Sequence, residues 1–294
     1  MTEVAQISVV IPTIGRTESL RACLESLAQC DPRAAEVLVV DQSGGDAIST
    51  LVAEFESVGA RVIRSDQRGI SVGMNLALRE ARHDLVLGTH DDCTVDRSWV
   101  GTGWRLMAGD PEKLVSGRVL PYGDPRATPS TKDRLFRHDF TGELVNGVLY
   151  PNNMALYRPM VVAFGGFDER FDVAAEDNDF CYRWLRAGHR LHYEPELLVW
   201  HHDIRSHEEL ERLYVGYGQA QGKLYAKHLR RGDLRMLYFI AQDVSRGLRG
   251  MAVRALLRRP RWADERPGIL RGVPGGLVAG WRLFRDDRRP RERD

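Results

Sequence analysis

Short apolar runs alternate with amphipathic stretches along the first 90 residues of the chain. The runs "ISVVIP", "AEVLVVD", "ARVIRSD" and "DLVLGTH" are short, rich in β-branched residues and bounded by Gly, Pro or Asp, which is typical of buried strands. The stretches between them, "TESLRACLESLAQC", residues 48–55 and "GISVGMNLALREAR", space their apolar residues as helices do. This alternation predicts an α/β fold with a Rossmann-like, mostly parallel central sheet flanked by helices.

Polar clusters follow each of the four predicted strands. They read "PTIGR", "DQSGGD", "SDQRG" and "THDD" in chain order. Because the carboxyl ends of parallel strands meet at the same edge of a sheet, we expect the four clusters to lie close together. The sequence therefore predicts a ligand site at this edge.

The pattern changes in the second half of the chain. A helix is predicted over residues 98–107 and a strand over 114–120, and residues 121–139 are rich in Pro, Gly and charge and predict a mobile loop. "AAEDNDFCYRWLRAG" predicts a helix, "HRLHYEPELLVWHH" a strand, and the capping box "SHEE" a long helix to about residue 230. A further amphipathic helix from about residue 233 completes the predicted division into a domain at 1–230 and a helical extension at 231–294.

Composition limits the class of protein. The chain has 294 residues, 43% hydrophobic and 28% charged, which is ordinary for a soluble globular protein. No apolar run approaches the roughly 18 residues that span a bilayer, and the N-terminus has no basic leader, so we expect a cytoplasmic protein. The four cysteines form no CxxC pair, which favours reduced structural thiols over disulfides or a zinc site.

The net charge of +1 conceals an uneven distribution. Residues 227–294 carry 18 Lys/Arg against 8 Asp/Glu, whereas the rest of the chain is net acidic. A basic amphipathic tail predicts contact with an anionic membrane surface, at the inner face of the membrane, and a solvated tail without a partner is the alternative. A nucleic acid is not expected as a partner, because the positive charge is confined to the tail with little aromatic interleaving.

Two pairs of carboxylates carry candidate chemistry. Asp91 and Asp92 end an apolar run, where paired carboxylates commonly hold a divalent metal beside a diphosphate. Glu176 and Asp177 lie in the first turn of a predicted helix, where acidic residues also stabilise the helix dipole. Asp41 precedes Ser-Gly-Gly, a pattern that is common in turns. The residues alone leave the structural and functional interpretations open.

The order of these segments resembles the family 2 glycosyltransferases of the GT-A fold over about residues 7–228. The resemblance rests on "VVIPTIGRTESLRACLESL", "VLVVDQSGGD", "GISVGMNLALREARHDLVLGTHDDCTVDRSW", "NNMALYR", "GGFDERFDVAAEDNDFCYRWLRAGHRLHYEPELLVWHH" and "YGQAQGKLYAKH". It implies an inverting transferase that uses a UDP-, dTDP- or GDP-sugar, a carbohydrate or lipid-linked acceptor, and Mg²⁺ or Mn²⁺.

The resemblance also implies roles for individual residues. The family's acidic triplet reads His90-Asp91-Asp92 here, so an imidazole replaces the ribose-side member while Asp92 remains as the metal-side carboxylate. Asn152 is an alternative to Asn153 in the "PNNMALYR" segment. The implied nucleotide-sugar-binding residues are Pro12, Thr13, Asp41, Arg68, Asn75, His90, Asp91 and Asn153.

The remaining implied roles concern catalysis and the metal. Asp177 matches the family's proposed catalytic base, and Glu176 beside it orients the acceptor or a helix end. His201 matches a histidine that completes the metal site in several members. His202 is the alternative, because only one of two adjacent residues on a strand points to a given side.

Other functional classes fit less well. A nucleotide-sugar pyrophosphorylase needs a glycine-rich N-terminal loop with a basic residue, and a dinucleotide-dependent oxidoreductase needs G-x-G-x-x-G after the first strand. Neither motif is present. A non-catalytic nucleotide-sugar-binding or scaffold protein stays open, because His90 is also what a degraded metal site shows.

Overall fold

A computed structural model describes residues 3–108, 110, 112–142, 147–171, 174–258 and 265–287. The chain divides into two compact units, the first containing the residues up to 171 and 176–204 and the second continuing from Arg205. Residues 205–230, which the predicted boundary assigned to the first domain, group with the helices that follow them. Residues 259–264 and 288–294 of the predicted extension lie outside the described residues.

The first unit alternates strands and helices in its N-terminal half, as the sequence predicts. Its elements are β1 (Val4–Thr13), α1 (Thr17–Ala28), β2 (Arg33–Asp41), α2 (Ala47–Ala53), β3 (Ala60–Arg64), α3 (Ile70–Glu80), β4 (Leu85–Thr89), β5 (Cys93–Val95), α4 (Trp99–Met107), β6 (Lys113–Pro121), β7 (His138–Thr141), β8 (Asn153–Tyr157), α5 (Arg158–Ala163), α6 (Glu176–Arg186) and β9 (Arg190–His201).

One sheet contains all the strands of the described residues. Its order is β3-β2-β1-β4-β8-β6-β9-β5, with β7 paired to β9. The strands β3, β2, β1 and β4 are parallel, whereas β8 runs antiparallel to both of its neighbours. A second parallel pair is formed by β6 and β9. The α/β fold is thus confirmed, with a mixed sheet.

Helices cover both faces of this sheet. Val9 and Ile11 of β1 point into one apolar core, and Val10 points into the other, as the alternation of side chains along a strand requires. Leu20 of α1 lies in the first core and Met74 of α3 in the second. Burial on both faces explains why the strands read as nearly continuous apolar runs.

The register of the parallel strands places their carboxyl ends together. Thr13, the last residue of β1, pairs with Asp41, the last residue of β2, and Asp41 pairs with Arg64 of β3. On the other side of β1, strand β4 ends at Thr89. The polar clusters that follow these strands therefore begin at the same edge of the sheet.

The segment at 121–139 is anchored, which corrects its interpretation as a mobile loop. Lys132 exchanges two backbone hydrogen bonds with Val119, at 2.8 and 3.0 Å. Its buried ammonium group donates to the Val148 carbonyl at 2.8 Å and lies 4.4 Å from the centre of the Tyr193 ring. Strand β7 then begins at His138. These contacts come from residues far away in the sequence, so the local composition could not reveal them.

The second unit contains three helices among its described residues, α7 (His207–Arg230), α8 (Met236–Leu257) and α9 (Arg266–Leu283). The predicted capping box is confirmed, since Ser206 and Glu209 satisfy each other's backbone N–H groups at the start of α7. Helix α9 was not predicted. Its Gly272 and Gly276 lie directly against the backbone carbonyl groups of α7.

Helix α8 presents an apolar face to solvent. Leu237, Val244 and Leu248 follow helical spacing and are 54%, 39% and 54% exposed. Arg246 and Arg249 are also exposed on this helix. No helix in the described part of the chain is both long enough and apolar enough to cross a bilayer.

Gly117→Ala is expected to destabilise the first unit. A Cβ atom at this position in β6 would collide with the Asn153 side-chain amide and the Leu197 carbonyl. Overpacking of this kind costs about 1–3 kcal/mol. Chemical denaturation measures the change in the free energy of unfolding. Gly45→Ala, where a Cβ meets nothing within 4 Å, is the control. Equal effects of the two substitutions would contradict the proposed collision.

Candidate functional site

Asp91 and Arg16 form the centre of the polar cluster at the carboxyl edge of the sheet. Asp91 follows β4 and has no exposed surface. Its Oδ2 atom accepts hydrogen bonds from the Thr13 hydroxyl at 2.6 Å and from Arg16 Nε at 3.2 Å. Its Oδ1 atom pairs with Arg16 Nη2. Both carboxylate oxygens are therefore engaged, and Asp91 is held in one position by the end of β1 and the loop after it.

Asp92 lies between a guanidinium group and an imidazole. Its Oδ2 atom is 2.8 Å from Arg16 Nη1, and its Oδ1 atom is 3.5 Å from His201 Nε2. On the far side of the ring, His201 Nδ1 donates to the Pro129 carbonyl at 2.9 Å. That hydrogen bond fixes the orientation of the ring and keeps Nε2 directed at Asp92.

The neighbouring histidine points elsewhere. The ring of His202 stacks on that of Tyr122 with 4.1 Å between centres, and its Nε2 atom lies 2.8 Å from the Thr94 hydroxyl. Adjacent residues of a strand face opposite sides, which separates the two imidazoles. Of the two histidines that the sequence left open, His201 is the one that faces Asp92.

The charges of this cluster shift several pKa values. Burial favours a higher pKa for Asp92, but the hydrogen bond to His201 and the charge of Arg16 outweigh it and hold the pKa well below its usual range. Burial lowers the pKa of His90 to about 4, so this ring is neutral near pH 7. The buried Nε2 atom of His90 has no hydrogen-bond partner among the described residues.

A divalent cation fits this set of donors. Asp92 Oδ1 and His201 Nε2 are 3.5 Å apart, and two ligands that each bind one ion at about 2.1 Å lie no more than about 4 Å apart. A carboxylate suits Mg²⁺ or Mn²⁺, and an imidazole also suits Mn²⁺. Cys93 Sγ lies within 4.8 Å of these groups, but burial raises the pKa of this thiol far above neutrality.

Asp41 offers a hydrogen-bond acceptor at the same edge. Its Oδ1 atom accepts from the backbone and the hydroxyl of Ser43, at 2.9 and 2.6 Å. Its Oδ2 atom is buried and has no partner among the described residues. Pro12, one residue before the end of β1, is buried against Gly73 of α3. Asp41 thus keeps one carboxylate oxygen without a partner among the described residues, at the edge where β1 and β2 end.

The side-chain amides of Asn153 and Asn75, which the sequence assigned to the nucleotide-sugar site, make their hydrogen bonds within the protein. Asn153 accepts from Trp99 and donates to the carbonyl groups of Arg118 and Leu197. Asn75 donates to the Phe167 carbonyl and accepts from its N–H. Neither side chain is available to a ligand. The unpartnered amide oxygen belongs instead to Asn152, which was the alternative, and Arg68 lies exposed on the loop before α3.

Helix α6 carries the second pair of carboxylates. Asn75 of α3 binds the backbone of the turn that leads toward this helix, which explains how α3 helps to place it. Glu176 is buried, and its Oε2 atom has no partner among the described residues. Asp177 is half-buried and accepts a hydrogen bond from the N–H of Asn178 at 2.7 Å. Burial raises the pKa of both carboxyl groups, and their proximity raises that of Glu176 further.

Sequence reasoning missed Arg16 as a site residue. It placed the "PTIGR" cluster at the correct edge but selected only Pro12 and Thr13. Thr13 turns out to bind Asp91 through its hydroxyl, and Arg16 contacts both Asp91 and Asp92. The available signal was the arginine that ends the "PTIGR" cluster, because this cluster was predicted at the same edge as the two successive carboxylates of "THDD". Arginine pairs with carboxylates through a rigid set of donors.

Comparison with known proteins identifies a family and several relatives of this chain. The profile of the family described as "Glycosyl transferase family 2" matches residues 8–164. A pre-mycofactocin glycosyltransferase of Mycobacterium tuberculosis is 27% identical over 237 residues, which is 76% of this chain and 48% of that protein. The chain thus spans about half the length of this curated relative.

Two solved structures share the fold. The mannosyltransferase PcManGT from Pyrobaculum calidifontis, in complex with GDP-Man and Mn²⁺, has a TM-score of 0.67 and 15% identity, covering 95% of this chain and 90% of that one. GalNAc-T7 with UDP, GalNAc and Mn²⁺ has a TM-score of 0.56 and 14% identity, covering 77% and 51%. At these identities the likeness concerns the fold, which confirms the GT-A architecture.

Glu176→Gln is expected to be more favourable to stability at alkaline pH than at acid pH, when its free energy of unfolding is compared with that of the wild type. Because the pKa of Glu176 is raised in the folded state, its favourable contribution is full below the unfolded pKa of about 4.3 and is lost as pH rises. Glutamine cannot ionise, so the variant should gain about 1–3 kcal/mol relative to the wild type between pH 4 and pH 9.

Denaturation at several pH values measures this difference. Glu18→Gln, which alters an exposed acidic residue in the first turn of α1, is the matched control and should show no such trend. A Glu176→Gln effect that is the same at pH 4 and pH 9 would show that the buried carboxyl is not held protonated.

Proposed function

The chain belongs to glycosyl transferase family 2, and from this premise we propose that it transfers a sugar from a nucleotide-diphosphate sugar to an acceptor hydroxyl. The observation that carries the proposal is the pairing of Asp92 with His201 at the carboxyl edge of the sheet. The imidazole is oriented toward the carboxylate by its hydrogen bond to Pro129. Asp41, with one unpartnered oxygen at the same edge, supplies the contact to the base or ribose.

In this proposal Asp92 and His201 hold a divalent cation, Mn²⁺ or Mg²⁺. When bound, the cation offsets the negative charge that grows on the departing diphosphate. The low pKa of Asp92 keeps the carboxylate ionised for this task. The two neighbours of the same fold that are described with Mn²⁺ also hold a GDP-sugar or UDP with GalNAc, which supports a nucleotide-sugar donor.

Transfer proceeds with inversion in this proposal. The acceptor oxygen attacks the anomeric carbon from the face opposite the diphosphate, the bond from that carbon to the diphosphate oxygen breaks, and the nucleoside diphosphate leaves with the electron pair. Asp177 receives the proton of the acceptor hydroxyl. Its pKa, raised by burial, suits a general base that works near neutral pH. Glu176, which is held protonated, orients the acceptor or the start of α6.

The acceptor in this proposal is a carbohydrate or a lipid-linked sugar at an anionic membrane surface. The exposed apolar face of α8 and the exposed Arg246 and Arg249 on the same helix support this choice. Such a helix lies in the plane of the membrane interface, with its apolar side chains inserted and its basic residues near lipid phosphates.

Asp177→Asn is expected to reduce sugar transfer by at least about 100-fold while binding of the nucleotide sugar is retained, because the amide cannot accept the proton.

Asp92→Asn is expected to remove the effect of Mn²⁺ on thermal stability. In the wild type, a UDP-, dTDP- or GDP-sugar should stabilise the protein more when Mn²⁺ is present, and in the variant this difference should be abolished. Both effects are measured with the same panel of donors, by product release and by thermal shift. Metal-dependent binding without turnover of any donor by the wild type would favour the non-catalytic alternative.

Replacement of Leu237, Val244 and Leu248 by serine is expected to release the protein from anionic liposomes, because it removes the apolar surface that enters the interface. A flotation assay measures the bound fraction. Substitution of the exposed Leu135 and Phe136 by serine is the control and should leave binding unchanged. Flotation of the triple variant at the wild-type level would remove α8 as the membrane contact.

A further inference from the structure

Arg16 is the one basic side chain described here that contacts both carboxylates at the edge of the sheet. It lies in the loop between β1 and α1, and its side chain is 42% exposed. It is held by Asp91 through Nε and Nη2 and by Asp92 through Nη1, at 2.8 Å for the last of these contacts. An arginine with three nitrogen atoms engaged in this way has a fixed position.

The guanidinium group still has donors to spare. Arginine carries five N–H groups, and one hydrogen bond from each of the three nitrogen atoms leaves one N–H on each terminal nitrogen. The Arg16 side chain is 42% exposed, so a ligand can approach it from solvent. Planar, paired N–H groups are the geometry with which arginine recognises phosphate oxygens.

The two oxygens of Asp92 face two different partners. Oδ2 contacts Arg16, and Oδ1 faces His201. A cation held through Oδ1 and the imidazole would thus have the guanidinium as its neighbour across one carboxylate. A ligand that bridges these two positive groups needs two adjacent anionic centres. A diphosphate has them.

The charge of the cluster also calls for a second cation. Asp91 and Asp92 together cancel the charge of one divalent ion, and a bound diphosphate ester then brings two negative charges. When the bond between the sugar and the diphosphate breaks, the diphosphate gains one more negative charge. Arg16 lowers this excess by one charge in a partly buried place, where electrostatic interactions are stronger than in water.

We propose that Arg16 is a fixed second cation of the donor site, which binds the diphosphate beside the divalent ion and is positioned for this by Asp91. In this role Asp91 is a positioning residue, because both of its oxygens are occupied by Arg16 and Thr13. The inference rests on the proposed function, since it assigns the ligand of that same site.

Removal of the charge at Arg16 is expected to change the affinities for cation and nucleotide in opposite directions. In Arg16→Gln, Mn²⁺ alone should bind about fivefold tighter, because a neighbouring positive charge no longer repels it. UDP and GDP in the presence of Mn²⁺ should bind about tenfold weaker, because a charge-assisted hydrogen bond to phosphate is lost. Uridine and guanosine, which lack the diphosphate, should bind as they do to the wild type.

The measurements are electron paramagnetic resonance of Mn²⁺ and calorimetry of the nucleotides, neither of which requires turnover. Arg21→Gln is the matched control, since Arg21 lies on α1 and pairs with the exposed Glu54. It should change none of these affinities. Asp91→Asn should weaken the binding of UDP and GDP as Arg16→Gln does, because the Arg16 guanidinium group loses the carboxylate that holds two of its nitrogen atoms.

Arg16→Lys keeps the charge but not the fork of donors, and provides the test if the glutamine variant does not fold. It should bind UDP and GDP about threefold to fivefold weaker than the wild type, with Mn²⁺ affinity unchanged. Unchanged nucleotide affinity in both variants, or a parallel loss of Mn²⁺ and nucleotide in Arg16→Gln, would overturn the proposal while the proposed function stands. A wild-type protein that binds neither Mn²⁺ nor any nucleotide would overturn both.

Discussion

The buried carboxylate of Asp91 sets the position of the groups around it. A charge without exposed surface must find partners inside the protein, because an isolated buried carboxylate is too costly to keep. Thr13 at the end of β1 and Arg16 just beyond it provide these partners. The interaction ties the turn after β4 to the loop after β1. Asp92, as the next residue, is thereby placed between Arg16 and His201.

The sequence was sufficient for the parts of the fold that local pattern controls. The first four strands and the edge at which they end followed from apolar periodicity and from the polar residues after each run. Asp92 and Asp41 could be selected for the same reason, since Asp41 ends β2 and Asp92 follows β4. The antiparallel insertion of β8 between β4 and β6 was not accessible, because strand polarity depends on partners far away in the chain.

The amides show where a resemblance stops carrying side-chain detail. Asn153 and Asn152 are adjacent, and adjacent residues near a strand face opposite sides, so a shift of one residue exchanges the saturated amide for the free one. The three hydrogen bonds of Asn153 reach Trp99, Arg118 and Leu197, which no local pattern connects. In the same way, Pro129 lies in a segment whose composition suggested mobility, yet its carbonyl orients His201.

The contact between α7 and α9 has a consequence for how this protein can change over evolutionary time. Glycines at four-residue intervals on α9 (Gly268, Gly272, Gly276 and Gly280) meet the α7 helix so closely that a methyl group would not fit at any of them. Substitution of any of these four glycines is therefore expected to be disfavoured. The outer side chains of α8 carry no such restriction. The exposed side chains of α8 can thus change between related proteins while the glycines that pack α9 against α7 stay the same.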